Sequence, residues 1–442
     1  MKTEEKKEGV KITAKMPMST SAKSSLIIGA IIVAFIMIIV IIINADTEKN
    51  TEKNTVANNA PQLQLDSKYW FDVADTSWYK PNESSLTIST PEQLAGLAKL
   101  VNVISMDKNY RFSTYNPVDF KEKTIILTNN INLAGKEWTP IGRMEPMGSH
   151  ATHKPTFLGT FDGGGYTISN MTIEECTDYY IGLFGTASGP DAVIKSVNIT
   201  DAMIEASGKN AGGIVGSISS VMVYDCTFSG SINNIGTNTG GIVGDMGKGT
   251  VMKCTSNARV IGAPSSSDFF QFCVVGGIVG GIGNGEVKNC TSNGSVIGNG
   301  GSNTFVGGVI GNSRNSTISY CASNNDITYN NSSNFEGGGI GGIVGRTEND
   351  TVYSCTSSGN ISCYNARTGG IVGDNKYSIV KDCKKLNGKI SSMRRVGGII
   401  GTDMGGEIIN NTFSMAATEQ KWGMGGDYIT GSTSNKGCIP LP

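Results

Sequence analysis

Apolar and polar positions along this chain fall into one pattern that recurs at a fixed pitch. Gly-Gly-Ile-Val-Gly or a close variant begins at Gly212, Gly240, Gly276, Gly307, Gly341, Gly369 and Gly397, and a degenerate copy runs from Ile181 to Gly185. Starts lie 28 to 36 residues apart. Ten residues past the last glycine of the motif stands Cys226, Cys254, Cys290, Cys321, Cys355 or Cys383, with Asn411 in the seventh unit. A register held this tightly requires each repeat to be one structural unit stacked on the next, which is a solenoid.

Within a unit the pattern predicts three short strands. The first is the glycine motif itself, and its paired glycines mark a corner or a close backbone approach. The second runs into the cysteine, as in Val221–Thr227. The third follows a small residue, as in Gly230-Ser231-Ile232 and Gly294-Ser295-Val296. Three strands and three bends per 28–36 residues predict one coil of an all-β, three-sided parallel β-helix. A helical solenoid competes, but glycine at this density disfavours helices by about 1 kcal/mol per residue. Ile214, Ile242, Ile278, Val309, Ile343, Ile371 and Ile399 then form one inner wall, each burial stabilising by roughly 1.5–3 kcal/mol.

Upstream the periodicity changes. Thr90-Pro91-Glu92-Gln93 is a helix start, with Thr as N-cap, Pro in the first turn and Gln completing a capping box. Leu94, Leu97, Ala98, Val101 and Ile104 follow at helical spacing. Such a helix would cover the open end of the solenoid core, where a bare strand edge invites aggregation. Thr124–Leu133 and Phe157–Ile173 read as strands, the second interrupted by a turn at Asp162-Gly163-Gly164-Gly165.

Leu26–Ile43 is an apolar run of 18 residues without a charge, preceded by Lys2, Lys6, Lys7, Lys11, Lys15 and Lys23. This reads as a membrane-spanning helix with the N-terminus inside and the body of the chain outside. A cleaved signal peptide ending near Ala45 is the competing reading, and it too exports the body. The organisation expected is a Lys-rich cytoplasmic tail over 1–24, an anchor over 25–44 and a polar linker over 45–62. A cap with the first coils covers 63–179, the repeat helix 180–411 and a C-terminal cap or tail 412–442.

Net charge is −1 over 442 residues, and the only lysine-rich stretch is N-terminal, so composition gives no support for nucleic acid as a partner. Ten cysteines in an exported chain would ordinarily suggest disulfides. Here residues at one point of successive coils stack in parallel roughly 4.8 Å apart, whereas a bridge needs Cβ atoms converging to about 3.8 Å. The six periodic cysteines therefore read as a buried column of free thiols. Cys176, Cys273, Cys363 and Cys438 lie off register, and a bridge among them stays open.

At these motifs the chain resembles the GLUG-motif surface proteins of bacteria and archaea. The resemblance rests on Gly213-Ile214-Val215-Gly216 and its repeats, and upstream on Asp72–Tyr79, Ile88–Ala98, Trp138–Gly142 and Phe161–Ile168, in that order. It implies an extracellular, adhesin-like β-helix without known catalysis. Relatives often carry enzymatic or wall-anchoring domains; none is recognisable here, which would make this a short, membrane-tethered member.

Parallel β-helices also carry polysaccharide-cleaving enzymes, whose sites need acid and base a few ångströms apart. The residues after each motif are Ser217, Asp245, Gly281, Asn312, Arg346, Asp374 and Thr402. Those before each cysteine position are Asp225, Lys253, Asn289, Tyr320, Ser354, Asp382 and Asn410. Neither row has adjacent acids, and both read as solvated faces, although insertions could gather Glu336, Glu348 and Asp350. His150 and His153 lack the Glu that a zinc protease places after its first His. Trp70, Trp78, Tyr79 and Trp138 could stack on sugars or pack the cap. Asn-x-Ser/Thr triplets such as Asn330 are open to glycosylation if the host modifies exported chains. Insertions at Ala263–Phe272 and Tyr329–Gly339 would protrude as loops, with Phe269–Phe272 as a contact patch.

The sequence thus predicts a single-pass, cell-membrane-anchored extracellular β-helix that binds cell-surface or environmental ligands, glycans among them. It is expected not to be an enzyme and to need no cofactor or metal; no catalytic residue is assigned and the ligand-binding residues are unknown. A passive envelope component and a polysaccharide-cleaving enzyme are the alternatives.

Overall fold

The computed structural model describes residues 67–102, 117–143, 155–265, 272–300, 303–330, 338–392 and 395–414, together with the backbone of 432–436 and 439–441. The anchor, its flanks, both histidines, Glu336, Cys438 and most of each insertion lie outside the described residues. Among the described residues no helix is long and apolar enough to cross a membrane.

The chain winds as an all-β parallel solenoid of about eight turns, with every strand pairing in parallel with its equivalent one coil away. In the repeat that follows Gly212, Val215–Tyr224 lies in the first sheet, Thr227–Ile235 in the second and Asn238–Gly240 in the third. Register is kept from coil to coil. Ser217 stands over Asp245, then Gly281, Asn312, Arg346, Asp374 and Thr402 along one ladder. Ser432–Lys436 and Ile439–Leu441 add a further rung beyond the last motif.

The glycine motif is a corner and not a strand. Its first glycine ends a third-sheet strand, as Gly240 ends Asn238–Gly240, and its valine opens the next first-sheet strand, as in Val243–Met252. Each glycine answers to a different close approach. A side chain on Gly342 would collide with the Gly370 carbonyl one coil on and with Ser357 of the second sheet; on Gly345 it would meet the Val306 backbone of the third sheet at 2.7 Å. The upstream run Gly163–Gly165 is likewise a corner. Thr160–Asp162 belongs to the first sheet and Thr167–Ser169 to the second, with Gly164 and Gly165 at φ +60° and +77° turning the chain between them.

The isoleucine wall is fully buried, as are the six periodic cysteines, which are free thiols. Each cysteine follows a residue in the left-handed region, from Asp225 (φ 55°) to Asp382 (φ 54°), so the bend at this corner turns the thiol inward. Each Sγ points at two backbone carbonyls: that of Cys290 lies 3.4 Å from Lys288 O and 3.6 Å from Val251 O. Burial pushes the Cys355 thiol well above the usual range. Cys176, Cys273 and Cys363 are also unbridged.

Two inner columns change character along the axis. Ile218, Met246 and Ile282 give way at the same register to Ser313, Thr347, Asn375 and Asp403, all buried. In the second sheet Phe228 and Phe413 bracket Ser256, Ser292, Ser323, Ser357 and Lys385. The ammonium of Lys385 is buried against the Ser357 hydroxyl at 3.5 Å and the Gly359 carbonyl. Part of the first column is joined by hydrogen bonds, as buried polar groups generally are: Thr347 Oγ1 donates to Asn375 Oδ1, and Asn375 Nδ2 to Asp403 Oδ1, both at 2.7 Å, whereas the Ser256 and Ser313 hydroxyls have no partner among the described residues.

The helix, α1 (Pro91–Val101), forms as its start signal predicts. Thr90 Oγ1 accepts the Gln93 N–H at 3.3 Å, and Gln93 Oε1 accepts the Ser89 N–H at 2.9 Å. Leu94, Leu97, Ala98 and Val101 are buried in the same core as the first coils. The cap aromatics pack here too. Trp70 and Trp138 are buried, donating Nε1–H to Leu133 O and Leu183 O, and Trp78 and Tyr79 lie against Phe120.

Candidate functional site

At the glycine corner, side chains that point outward from the third sheet touch side chains that point outward from the first. Asn238 Nδ2 donates to Asp245 Oδ1 at 3.0 Å, Arg367 Nη1 meets Asp374 Oδ2 at 2.9 Å, and the Arg346 guanidinium lies 5.2 Å from the Phe305 ring centroid. A convex corner would splay such groups apart. The two sheets therefore meet in a re-entrant elbow, and coil stacking extends it into a groove along the solenoid. The glycines make this possible by letting the two sheets approach without intervening side chains.

The N-terminal stretch of the groove is neutral and amide-rich. Asn210 and Asn238 stand in register on adjacent coils, with Asn238 Nδ2 also donating to Asn210 Oδ1 at 3.1 Å. Tyr180 stands one coil earlier, opposite Asn210. Burial raises the Asp245 carboxyl above the ordinary range, and nearby Lys209 only partly opposes it. Burial, with the charge of Asp245 added, likewise raises the Tyr180 phenol.

Mid-groove, Val274 and Phe305 replace the asparagines at the same register. Phe272, 48% exposed, stacks on Phe305 with ring centroids 6.3 Å apart. Beyond this apolar step the groove becomes ionic. Glu348 receives Arg314 at 3.1 Å, Lys376 at 3.3 Å and Arg346 at 3.5 Å. Asp374 receives Arg367 at 2.9 Å and lies 4.0 Å from Arg346 Nε. Burial works against ionisation of Glu348, but hydrogen bonds from Arg314 and Lys376 outweigh it and hold its carboxyl below the usual range. Arg346 Nε and Asp374 Oδ1 are buried with no hydrogen-bond partner among the described residues.

The row from Ser217 to Thr402 is therefore one wall of this groove. Its reading as a solvated face fails at Gly281, Asp374 and Thr402, which are buried, and the other four positions are only partly exposed. The row from Asp225 to Asn410 is a left-handed turn column, mostly exposed. Glu348 and Asp350 are close enough for the Glu348 charge to act on Asp350, but they do not face one space: Glu348 faces the groove, while Asp350 is buried and accepts the Ser316 N–H at 2.7 Å and the Glu348 N–H at 3.0 Å. Of the aromatic patch at Phe269–Phe272 only Phe272 is described. The third-sheet residues Asn210, Asn238, Phe305 and Arg367 escaped the sequence reading, although their offset of two residues before each motif was a fixed register that could have marked them.

A second concavity, an open depression of about 490 Å³, lies on the first sheet where its strands kink, and Met222, Lys248, Asn284, Glu286 and Asn315 are among its lining residues. Among the described residues no group of three or more His, Cys, Asp or Glu side chains is placed to hold a metal ion.

No protein-family model matches the chain. A stretch of 96 residues, 22% of the chain, is 33% identical to halomucin of Haloquadratum walsbyi, and it spans 1% of that protein's length. A crystal structure of a Bacteroides ovatus protein, provisionally described as an immunoglobulin A1 protease, aligns over 66% of this chain and 84% of its own with 20% identity and a TM-score of 0.44.

Proposed function

We propose that this chain is a surface-exposed, adhesin-like β-solenoid that binds extended polymeric ligands, glycans foremost, along its elbow groove. The observation that carries this reading is the groove itself, lined in register by amides, hydroxyls, an aromatic step and charges on successive coils. Its rungs repeat at roughly 4.8 Å, close to the length of one pyranose ring, so a linear polysaccharide could meet equivalent groups rung after rung. Many modest contacts would then add through repetition.

The chain's resemblance to GLUG-motif surface proteins supports placement outside the cell, and the likeness to a protein named halomucin accords with it. Retention at the membrane through residues 25–44 belongs to the same proposal. Binding without cleavage is favoured by how the groove's carboxylates are held. Glycoside hydrolysis needs two carboxyl groups within about 5–9.5 Å of each other. Asp245 and Asp374 stand four rungs apart, roughly 19 Å; Glu348 and Asp374 are closer, sharing Arg346, but Arg314 and Lys376 hold the Glu348 carboxyl below the usual range, which is the wrong direction for a general acid.

The test is to incubate the full-length protein in detergent micelles with immobilised polysaccharides, scoring retention and new reducing ends together. Retention on at least one polysaccharide, weakened by Asn238→Ala and without product, is the expected result. Release of reducing ends that disappears in Asp245→Asn or Asp374→Asn would replace the adhesin with an enzyme.

A further inference from the structure

We infer that the C-terminal stretch of the groove is selective for acidic polysaccharides, those bearing carboxylate or sulfate groups; the inference rests on the groove being the binding site proposed above. Four cations, Arg314, Arg346, Arg367 and Lys376, surround two carboxylates there, Glu348 and Asp374. Among the described residues the cluster therefore counts four cations against two carboxylates, in a chain whose net charge is −1. Both carboxylates already hold more than one cation, so the surplus cannot be neutralised from within the cluster.

A second observation points to a ligand that also carries hydroxyls. The atoms Arg346 Nε and Asp374 Oδ1 are buried, on side chains 24% and 5% exposed, and neither has a hydrogen-bond partner among the described residues. Buried groups left in this state are costly, which favours rearrangement around a ligand supplying both an acceptor and a donor. An anionic sugar does so: its carboxylate or sulfate accepts from the guanidinium and its hydroxyl donates to the carboxylate. Nucleic acid supplies the anion, but its bases would need aromatic faces to stack on along the groove. The aromatic step here is confined to Phe272 and Phe305.

The experiment measures retention of the full-length protein on immobilised polygalacturonate, heparin, neutral dextran and single-stranded DNA at low and near-physiological salt. Expected is preferential binding to the two acidic glycans, weakened by salt because exposed charges are screened. Arg346→Gln and Arg314→Gln should each weaken it about tenfold, the order expected for losing one charge-assisted contact. Lys253→Gln, on the turn column outside the groove, should leave it unchanged. Arg314 is the more exposed of the pair, so its variant stays informative if Arg346→Gln misfolds. Equal or tighter binding to dextran that Asn238→Ala weakens and Arg314→Gln does not would overturn acid selectivity and keep the groove. Tighter binding to DNA would overturn the ligand class. Retention on no polysaccharide would overturn both this inference and the reading it rests on.

Discussion

Asn411 Oδ1 accepts the backbone N–H of Cys383 at 2.9 Å while its Nδ2 donates to Val380 O at 2.8 Å, one rung past the last periodic thiol. The amide occupies the thiol's place in the column and satisfies one buried donor and one buried acceptor with fixed geometry. Asn411→Ala would strand both groups, at a cost of about 1–3 kcal/mol. Denaturant unfolding followed by far-UV circular dichroism measures this. A loss below about 0.5 kcal/mol would mean that the two bonds are replaced within the coil.

The thiol column should be chemically silent in the native protein. Its members are free and buried, so a reagent in solution cannot reach their Sγ atoms while the coils stay closed. Cys176, although only partly buried, is pushed to about 12 by burial and by the neighbouring Asp178 charge. Peptide mapping after alkylation at mildly alkaline pH should leave Cys226, Cys254, Cys290, Cys321, Cys355 and Cys383 unmodified until denaturant is added. Modification of any of them in the native state would show that the coils open locally.

The paired glycines should resist even a methyl group. Gly342 lies against the Gly370 carbonyl one coil on and against Ser357 across the core, and backbone atoms cannot step aside as a flexible side chain can. Gly342→Ala is expected to destabilise by roughly 3 kcal/mol or more. Gly247→Ala, in an exposed position with its nearest added contact at 3.8 Å, should change stability by less than about 1 kcal/mol. Matched thermal melts of the two variants compare them directly, and equal melting temperatures would refute the packing role given to the motif.

These positions show why part of the fold is legible in the sequence alone. A residue repeated at a fixed register, such as Ile278 or Cys290, has one environment in every coil, so its chemistry alone declares it buried. The Ser217-to-Thr402 ladder was readable for the same reason. Its angle to the third sheet was not, because the elbow depends on how closely two backbones pack across glycines, and no single residue encodes an angle. The sequence reading also placed a strand on Gly-Gly-Ile-Val-Gly, since Ile and Val favour strands; the crowding around Gly342 and Gly345 makes it a corner instead. Ser313, Thr347, Asn375 and Asp403 were hidden by composition, as polar residues that look external until their register with Ile218 and Met246 is seen.

Asp350 should make the solenoid less stable as pH rises. Burial pushes its carboxyl up to about 7, even though backbone N–H groups of Ser316 and Glu348 donate to it at 2.7 and 3.0 Å and favour the charged form. The adjacent Glu348 charge adds to the upward shift. In the unfolded chain the same group releases its proton near the ordinary aspartate value of about 3.9. Between these two values the folded state binds more protons than the unfolded one, so stability falls with rising pH and levels off above about 7. A shift of about three units corresponds to a loss on the order of 4 kcal/mol across that window. Asp245, raised by burial, contributes with the same sign. Glu348, lowered, contributes with the opposite sign at the acid end. Lys385, brought down to about 8 by burial, carries a constant cost through the pH 4–7 window, and stability rises with pH only from about 8 upward as the folded state releases that proton first. Asp350→Asn removes the titration and should flatten the profile between pH 4 and 7. It should be more stable than the parent at pH 8 and slightly less so at pH 4, where one of the two backbone donors loses its acceptor. Chemical denaturation at four or five pH values decides it: parallel profiles for parent and variant would show that Asp350 is ionised in the native state throughout.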